Sequence, residues 1–177
     1  MLINFKSLLP TAYVASIYDY DLSAAYARGK RLILFDIDNT LVPHGAPADD
    51  AAKAWFISGK EQGFSFCAIS NNREPRVKNF CDTVGVPYVY KARKPSAKGY
   101  EHALGKCGAS ASQALFFGDQ IFTDIWGANR AGIDSVLVRP VDLSTDEIQI
   151  RLKRIFEKPA IKAFFREKGL AIYDHFH

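Results

Sequence analysis

Short apolar runs alternate along this chain with longer segments whose apolar residues recur at helical spacing. The runs are rich in Leu, Ile, Val and Phe, which is typical of strands buried in a parallel sheet. They predict strands over residues 32–35, 64–69, 87–90, 114–117 and 135–138. The helical segments span residues 48–61, 73–84, 96–107, 121–131 and 145–157. Helices inserted regularly between strands favour right-handed βαβ units, so the pattern predicts an α/β fold, a doubly wound parallel sheet with helices on both faces.

Two helix boundaries carry their own signals. Ser96 is a candidate N-cap for the helix over residues 96–107, because its hydroxyl can accept a hydrogen bond from a free backbone N–H of the first turn. Gly85 follows the helix over residues 73–84 and can adopt the left-handed conformation in which many helices end. Both residues support the predicted alternation of strands and helices.

Polar side chains follow three of the predicted strands. Asp36 and Asp38 end the first strand, Ser70 ends the second, and Asp119 follows the fourth. In open α/β sheets, ligands bind beyond the carboxyl ends of the strands, so these side chains are expected to meet there. Two acids at such an edge can hold a hard divalent cation and still leave one carboxylate for covalent chemistry.

Four motifs stand in a fixed order. They are Phe-Asp-Ile-Asp-Asn-Thr-Leu at residues 35–41, Ser-Asn-Asn at 70–72, Lys-Pro at 94–95, and Gly-Asp at 118–119 with a second Asp five residues on. Together they resemble the motifs of the haloacid dehalogenase-like (HAD) phosphohydrolases, subfamily IIIA. The resemblance extends over most of the chain and implies the HAD-like Rossmannoid strand order, which spacing alone does not show.

The resemblance assigns a role to each catalytic position. Asp36 is the nucleophile that forms an aspartyl-phosphate, and Asp38 is the acid that protonates the leaving group and then activates water. Ser70 and Lys94 contact the transferred phosphoryl group and complete the catalytic set. Thr40 stabilises the loop of the first motif by hydrogen bonding.

Substrate and metal contacts follow from the same resemblance. Thr40, Ser70, Asn71 and Lys94 are the expected substrate-binding residues. The expected metal ligands are Asp36, Asp38, Asp119 and Asp124. Oxygen donors of this kind suit Mg²⁺, which is the expected cofactor.

Several assignments leave a purely structural alternative open. Thr40 can simply stabilise a turn, and Ser70 can start the following helix. Lys94 can belong to an exposed basic loop, and Asp119 can cap the helix near residue 121. For Asp36 the open alternative is that it binds the metal without acting as the nucleophile.

The spacing of the motifs leaves no room for an inserted cap domain. Asp36 and Ser70 are 34 residues apart, and Ser70 and Lys94 are 24 apart, which accommodates one helix in each gap. A cap needs a core of its own and therefore a longer segment. The expectation is a capless HAD-like hydrolase domain over residues 1–177, with an N-terminal extension (1–30) and a C-terminal tail (158–177) packed on it. Such a site is open and admits bulky substrates.

Composition indicates a globular protein of ordinary hydrophobicity. The chain has 48% hydrophobic residues, a formal net charge of +4 and three widely spaced cysteines. No secretory signal or run of about 20 apolar residues is recognised, so no transmembrane segment is expected. The expected location is the cytoplasm, with peripheral attachment to the inner membrane face as its extension.

Positive charge is concentrated near the C-terminus. Residues 149–169 contain seven Lys or Arg and two Glu. Residues 150–172 combine this charge with apolar side chains, namely Ile155, Phe156, Ile161, Phe164, Phe165, Leu170 and Ile172. Phe164 and Phe165 follow Ile161 by three and four positions, which predicts one apolar face of a short helix after Pro159. This face either lies on an anionic membrane or packs on the core of the domain. A nucleic-acid partner also remains open.

The predicted function is hydrolysis of a phosphomonoester. The stretch Leu9-Pro10, Tyr13-Val14 and Ile17-Tyr18, together with the four motifs, resembles the branch that unites uncharacterised bacterial HAD hydrolases with mitochondrial phosphatidylglycerophosphate phosphatases. The resemblance implies a phosphorylated substrate, which is a lipid of phospholipid biosynthesis in part of that family. The alternatives are a nucleotide or polynucleotide phosphatase and a non-catalytic HAD-like binding scaffold.

Overall fold

A computed structural model describes residues 5–169 of the protein. Leu170 and Ile172, which were counted among the apolar residues of segment 150–172, lie outside the described residues. The strands are β1 (Ala12–Val14), β2 (Leu32–Phe35), β3 (Ser65–Ile69), β4 (Tyr88–Val89), β5 (Ala114–Gly118) and β6 (Asp134–Val138). The helices are α1 (Leu22–Ala27), α2 (Asp50–Glu61), α3 (Glu74–Val84), α4 (Ala97–Cys107), α5 (Trp126–Arg130) and α6 (Ile148–Glu167), with a π-helical turn (Ile121–Ile125) directly before α5.

The six strands form one parallel sheet in the order β1-β6-β5-β2-β3-β4. From β2 the chain moves outward through β3 and β4, then returns to the other side of β2 as β5. The strand order therefore reverses between β2 and β5, and Asp36 and Asp119 follow these two strands directly. The predicted doubly wound α/β fold is confirmed. Only a loop and α2 separate β2 from β3, and only α3 separates β3 from β4, so neither gap contains a cap.

Apolar side chains cover both faces of the sheet. Ile33 and Phe35 of β2 pack on the side of α2, where Phe56 lies 5.2 Å from Phe35 between ring centroids. Leu34, between them in sequence, faces the opposite side together with Tyr100 of α4. Every residue of β2 and β5 is buried, which explains why these strands read as continuous apolar runs rather than as alternating ones.

The predicted caps are confirmed. The Ser96 hydroxyl accepts a hydrogen bond from the backbone N–H of Lys98 at the start of α4. Gly85 ends α3 in the left-handed conformation, with φ of 63°. The helix predicted over residues 121–131 differs in detail, because its first turn is a π-helix before α5 begins.

The N-terminal segment contributes more than an extension packed on the domain. Residues of β1 pair in parallel with β6 and form an edge of the sheet. α1 follows and packs Leu22 and Ala25 into the core on the α2 side. Sequence reasoning missed both elements, because three half-buried strand residues and six helical residues are too short to show a period.

The C-terminal region forms one helix where two were predicted. α6 runs from Ile148–Glu167 and contains Pro159 in its interior. Pro159 is exposed, so water can replace the hydrogen bond that the proline cannot donate. Ile161, Phe164 and Phe165 are at most 2% exposed, so the interpretation of these residues as a membrane face is wrong and the core-packing alternative is correct. Among residues 5–169, no helix has both the length and the apolar character needed to cross a membrane.

Candidate active site

A polar cleft of about 360 Å³ lies at the carboxyl edge of β2, β3 and β5. It brings together side chains that the sequence placed in three separate motifs. Those that line the cleft are Asp36, Asp38, Ser70, Asn71 and Lys94. α6 and the residue before it form part of the wall through Glu147, Ile150 and Lys153. The cleft therefore coincides with the edge at which the parallel sheet reverses its strand order.

Lys94 lies at the centre of the charged groups. Its ammonium donates to Asp36 Oδ1 at 2.7 Å and to Asp124 Oδ1 at 2.6 Å. Burial alone would lower the pKa of Lys94, but Asp124 and Asp36 raise it above its ordinary value. Burial raises the pKa of Asp36 well above its usual range, and Lys94 opposes that shift. The exposed-loop alternative for Lys94 is thus wrong, because this side chain is buried between two carboxylates.

The loop after β3 holds Lys94 in place. Asn71 Nδ2 donates to the Lys94 carbonyl at 3.1 Å, and the Lys94 N–H donates to Asn71 Oδ1 at 2.7 Å. The Ser70 hydroxyl accepts a hydrogen bond from the backbone N–H of Asn72, which bends the loop at the end of β3. Asn71 and Ser70 therefore shape the cleft as well as lining it.

Asp38 is separate from the other carboxylates. Its side chain accepts hydrogen bonds from Arg76 at 2.8 Å and from the Gly45 N–H at 2.8 Å. Burial raises the pKa of Asp38, but these donors outweigh it and hold the pKa below its ordinary value. Sequence reasoning missed Arg76, although its place in the first turn of the helix after Ser70 was a usable signal.

Three buried carboxylates form a compact group behind Lys94. Oxygen atoms of Asp36, Asp119 and Asp124 all lie within 4.8 Å of one another. Asp124 reaches this position because residue 118 is glycine. A Cβ atom at Gly118 would come within 2.5 Å of the Asp124 Cβ. The Asp38 side chain is not a member of this group.

Asp119 is held by partners on two sides. Arg154 of α6 donates to Asp119 Oδ2 at 2.5 Å, and the Thr40 hydroxyl donates to Asp119 Oδ1 at 3.2 Å. Burial raises the pKa of Asp119 to about 6, with Arg154 opposing. Asp119 does not cap the following turn, whose N-cap residue is Gln120. Thr40 is buried against Asp119 and does not line the cleft, a placement that differs from the substrate contact expected of it.

Arg154 extends this arrangement to the loop after β2. Its guanidinium also donates to Asp146 Oδ2 at 2.5 Å, and Asp146 Oδ1 accepts from Asn39 Nδ2 at 2.6 Å. No local motif marked Asp146 or Arg154. They pair with each other, 8 positions apart, but the residues that they hold in the site, Asn39 and Asp119, are 107 and 35 positions away in the sequence. They were found only through the fold.

The donor set fits a hard divalent cation. The carboxylates of Asp36, Asp119, Asp124 and Asp146 face two buried cations, Lys94 and Arg154, so the ionised form of all four carboxylates carries two negative charges that these cations do not compensate. Carboxylate oxygens are preferred ligands of Mg²⁺, and a divalent cation neutralises this remaining charge. Asp36, Asp119 and Asp124 are the residues placed to hold it.

Sheet order, cleft and carboxylate group are those of a HAD-like hydrolase, and comparison with known proteins agrees. A family model described as HAD-hydrolase-like matches residues 91–151. The chain is 36% identical over 163 residues to the probable phosphatase YqeG of Bacillus subtilis (strain 168), with 92% of this chain and 94% of that protein covered. The chain belongs to the HAD superfamily of phosphatases.

Two further similarities are more distant. The chain is 26% identical over 185 residues to phosphatidylglycerophosphate phosphatase 1, chloroplastic/mitochondrial, of Arabidopsis thaliana, with 95% of this chain but 51% of that protein covered. It thus spans about half the length of the plant enzyme. The cobalt-bound deoxy-D-mannose-octulosonate 8-phosphate phosphatase (YrbI) of Haemophilus influenzae matches 77% of this chain and 90% of its own with a TM-score of 0.52. At 9% identity this likeness supports the fold alone.

Proposed function

We propose that this HAD phosphatase hydrolyses phosphatidylglycerophosphate, a phosphomonoester lipid, through an aspartyl-phosphate intermediate on Asp36. The observation that carries the mechanism is the buried group of Lys94, Asp36 and Asp124, which sets a carboxylate oxygen and an ammonium side by side in the cleft. Lys94 favours the ionised form of Asp36 against the effect of burial, and an ionised carboxylate in the cleft is what a nucleophile requires.

The covalent step transfers the phosphoryl group to Asp36. A carboxylate oxygen of Asp36 attacks phosphorus, and the bond from phosphorus to the alcohol oxygen of the substrate breaks. Asp38 donates a proton to that oxygen, then takes one from the water that hydrolyses the aspartyl-phosphate. Asp38 must be protonated for the first step, which the hydrogen bonds from Gly45 and Arg76 oppose because they lower its pKa.

Three residues are proposed to bind the phosphoryl oxygens, namely Ser70, Asn71 and Lys94, which all line the cleft. Mg²⁺ held by Asp36, Asp119 and Asp124, with the backbone carbonyl of Asp38 as a further ligand, would neutralise the charge of a phosphate dianion. Thr40 acts through Asp119, whose carboxylate it fixes.

The choice of substrate rests on the open cleft and on the similarity to the plant phosphatidylglycerophosphate phosphatase. No cap covers the catalytic edge between β2 and β4, which suits a substrate whose bulk remains in a lipid layer. A lipid substrate requires the enzyme to work at a membrane surface, and from the cytoplasm this is the inner face.

The test is a substrate panel at saturating Mg²⁺, with EDTA controls. It contains phosphatidylglycerophosphate in mixed micelles, nucleotides, sugar phosphates and 3′-phosphorylated oligonucleotides. We expect the lipid to give the highest kcat/KM, and EDTA to abolish turnover in a way that added Mg²⁺ restores. A higher kcat/KM for an oligonucleotide would favour the polynucleotide phosphatase, to which the basic segment 149–169 is also suited. Full activity in EDTA would contradict the metal requirement.

A further inference from the structure

α6 carries a second apolar face that the core does not cover. The outer face of α6 consists of Ile148, Leu152, Ile155 and Phe156, which follow one another at spacings of four, three and one. Their exposed fractions are 77%, 55%, 57% and 71%. Ile148 precedes Leu152 by four positions, and Ile155 and Phe156 follow Leu152 by three and four. Residues three or four positions apart share one side of a helix, so the four side chains form a continuous stripe.

The stripe lies opposite the face that packs on the sheet. Ile161, Phe164 and Phe165 of the same helix are buried with Leu137 of β6. The folding of the domain therefore accounts for the inner face and leaves the outer face without a role. Contiguous exposed apolar side chains on a folded protein mark a site of interaction more often than scattered single ones do.

Basic side chains border this stripe. Arg151, Lys153 and Lys162 are exposed on the same helix. The one acidic residue within segment 148–166, Glu157, is 1% exposed and turned inward. The surface thus combines large apolar side chains with positive charge and presents no acidic side chain from that segment, the composition of a helix that lies on an anionic bilayer.

The stripe is fixed next to the catalytic cleft. Ile150 and Lys153, from the same turns of α6, line the cleft wall. On the inner side, Arg154 binds Asp119, and Glu157 Oε1 accepts a hydrogen bond from the Phe122 N–H at 2.9 Å. These buried contacts hold α6 in one position, so a surface bound to its outer face lies beside the cleft opening.

We propose that the outer face of α6 docks the enzyme on an anionic lipid bilayer and presents the cleft to the bilayer surface. The purpose of this docking rests on the lipid substrate proposed above, whereas the docking itself rests on the helix surface. A second copy of the chain is the less favoured occupant, because a symmetric contact through this face would bring the bordering cations of two copies together. Anionic headgroups neutralise the same cations.

The experiment is vesicle co-sedimentation with the full chain. The vesicles contain either phosphatidylcholine alone or equal parts of phosphatidylcholine and phosphatidylglycerol. We expect binding to the anionic vesicles only, weakened by added salt. The double substitution Ile155→Gln and Phe156→Gln should lower the partition coefficient at least about tenfold, since two large apolar side chains no longer enter the lipid. Ile57→Gln is the matched control, because Ile57 is 59% exposed on α2, across the sheet from α6.

The outcomes separate docking from substrate choice. The double variant should keep wild-type turnover of soluble p-nitrophenyl phosphate and its Tm, because both side chains are exposed. Failure of the wild type to bind anionic vesicles, or equal loss in Ile57→Gln, would overturn the docking proposal. Light scattering could instead show a concentration-dependent dimer that the double variant disrupts and Ile57→Gln does not. If the wild type then bound no vesicles, the outer face of α6 would be the contact with a second copy of the chain. Vesicle binding without hydrolysis of phosphatidylglycerophosphate would leave the docking proposal intact and contradict the substrate.

Discussion

Two buried cations, Lys94 and Arg154, form ion pairs with the carboxylates of this enzyme from opposite sides. Lys94, which follows β4, pairs with Asp36 and Asp124 and forms part of the cleft wall. Arg154 of α6 pairs with Asp119 and Asp146 and does not line the cleft. Both are almost fully buried, and both bridge two acidic side chains that are distant in sequence.

The difference lies in what each cation can reach. An ammonium in the cleft wall can exchange a carboxylate for a phosphoryl oxygen, so Lys94 is available to the reaction. The guanidinium of Arg154 is enclosed by its partners. It fixes Asp119 directly and, through Asp146, the loop after β2 that carries Asn39. In the proposed mechanism, the ion pairs of Lys94 support catalysis, whereas the ion pairs of Arg154 hold Asp119 and Asp146 in position.

The largest expected effect is on the Lys94 side. Asp36→Asn should lower kcat by at least about 10³-fold, because removal of a nucleophile disables the whole catalytic group. Its Tm should stay the same or rise, because burial already disfavours the ionised form of Asp36 and raises its pKa. Asp50→Asn, at an exposed carboxylate on α2, is the control for both kcat and Tm. Retention of more than about a tenth of wild-type kcat would exclude Asp36 as the nucleophile.

The second prediction contrasts the two cations directly by neutral, similarly shaped substitutions. Lys94→Met should lower kcat by at least about 10²-fold. Arg154→Met should keep kcat within about tenfold at saturating Mg²⁺ but lose about 3–5 kcal/mol of unfolding free energy, because it leaves the buried carboxylates of Asp119 and Asp146 without their cationic partner.

Mg²⁺ provides the control for this contrast. It should narrow the difference in Tm between Arg154→Met and the wild type, because the ion supplies positive charge that Asp119 has lost. Equal losses of kcat in the two variants, or no effect of Mg²⁺ on the Tm difference, would contradict the assignment of Lys94 to the reaction and of Arg154 to the position of Asp119.

The two sides also differ in how far the sequence foretold them. Asp36 was predicted because it follows an apolar run, and the parallel sheet brings the ends of such runs to one edge. Lys94 was predicted because Lys-Pro at residues 94–95 resembles a family motif. Asp146 and Arg154 were not, because their partners are set by the path of α6 across the sheet, which no local pattern records. The apolar residues of α6 showed the same limit. The sequence predicted an apolar face after Pro159 and left open whether it lies on a membrane or on the core. The packing of Phe165 against Tyr13 of β1, 4.9 Å between ring centroids, shows that this face is inside.

The smallest expected effect concerns a buried acid on the Arg154 side. Burial raises the pKa of Glu157 to about 7, against an ordinary value of 4.5. The native state therefore binds a proton on Glu157 more tightly than the unfolded chain does. The stability that this protonated carboxyl contributes is lost as the pH rises from about 4.5 to 7. Glu157→Gln keeps an acceptor for the Phe122 N–H and removes the ionisation. When the pH is raised from 5 to 8, the free energy of unfolding of the variant should therefore increase by about 2 kcal/mol relative to that of the wild type.

Urea unfolding at the two pH values measures this gain. Glu167→Gln, at an exposed position at the end of the same helix, is the control and should show no such change. An advantage of Glu157→Gln that is equal at both pH values would mean that Glu157 does not titrate in this window.

The most direct test of the central claim, covalent transfer to Asp36, is a rapid-mixing experiment with Asp38→Asn and p-nitrophenyl phosphate in Mg²⁺. Nitrophenolate leaves as a stable anion and needs no proton, so the variant can still form the aspartyl-phosphate but lacks the base that activates water. The account predicts a burst of about one nitrophenolate per enzyme, followed by slow turnover, with a phosphorylated peptide that contains Asp36 after acid quenching. A burst that persists in the Asp36→Asn, Asp38→Asn double variant, or phosphate found on another residue, would contradict it.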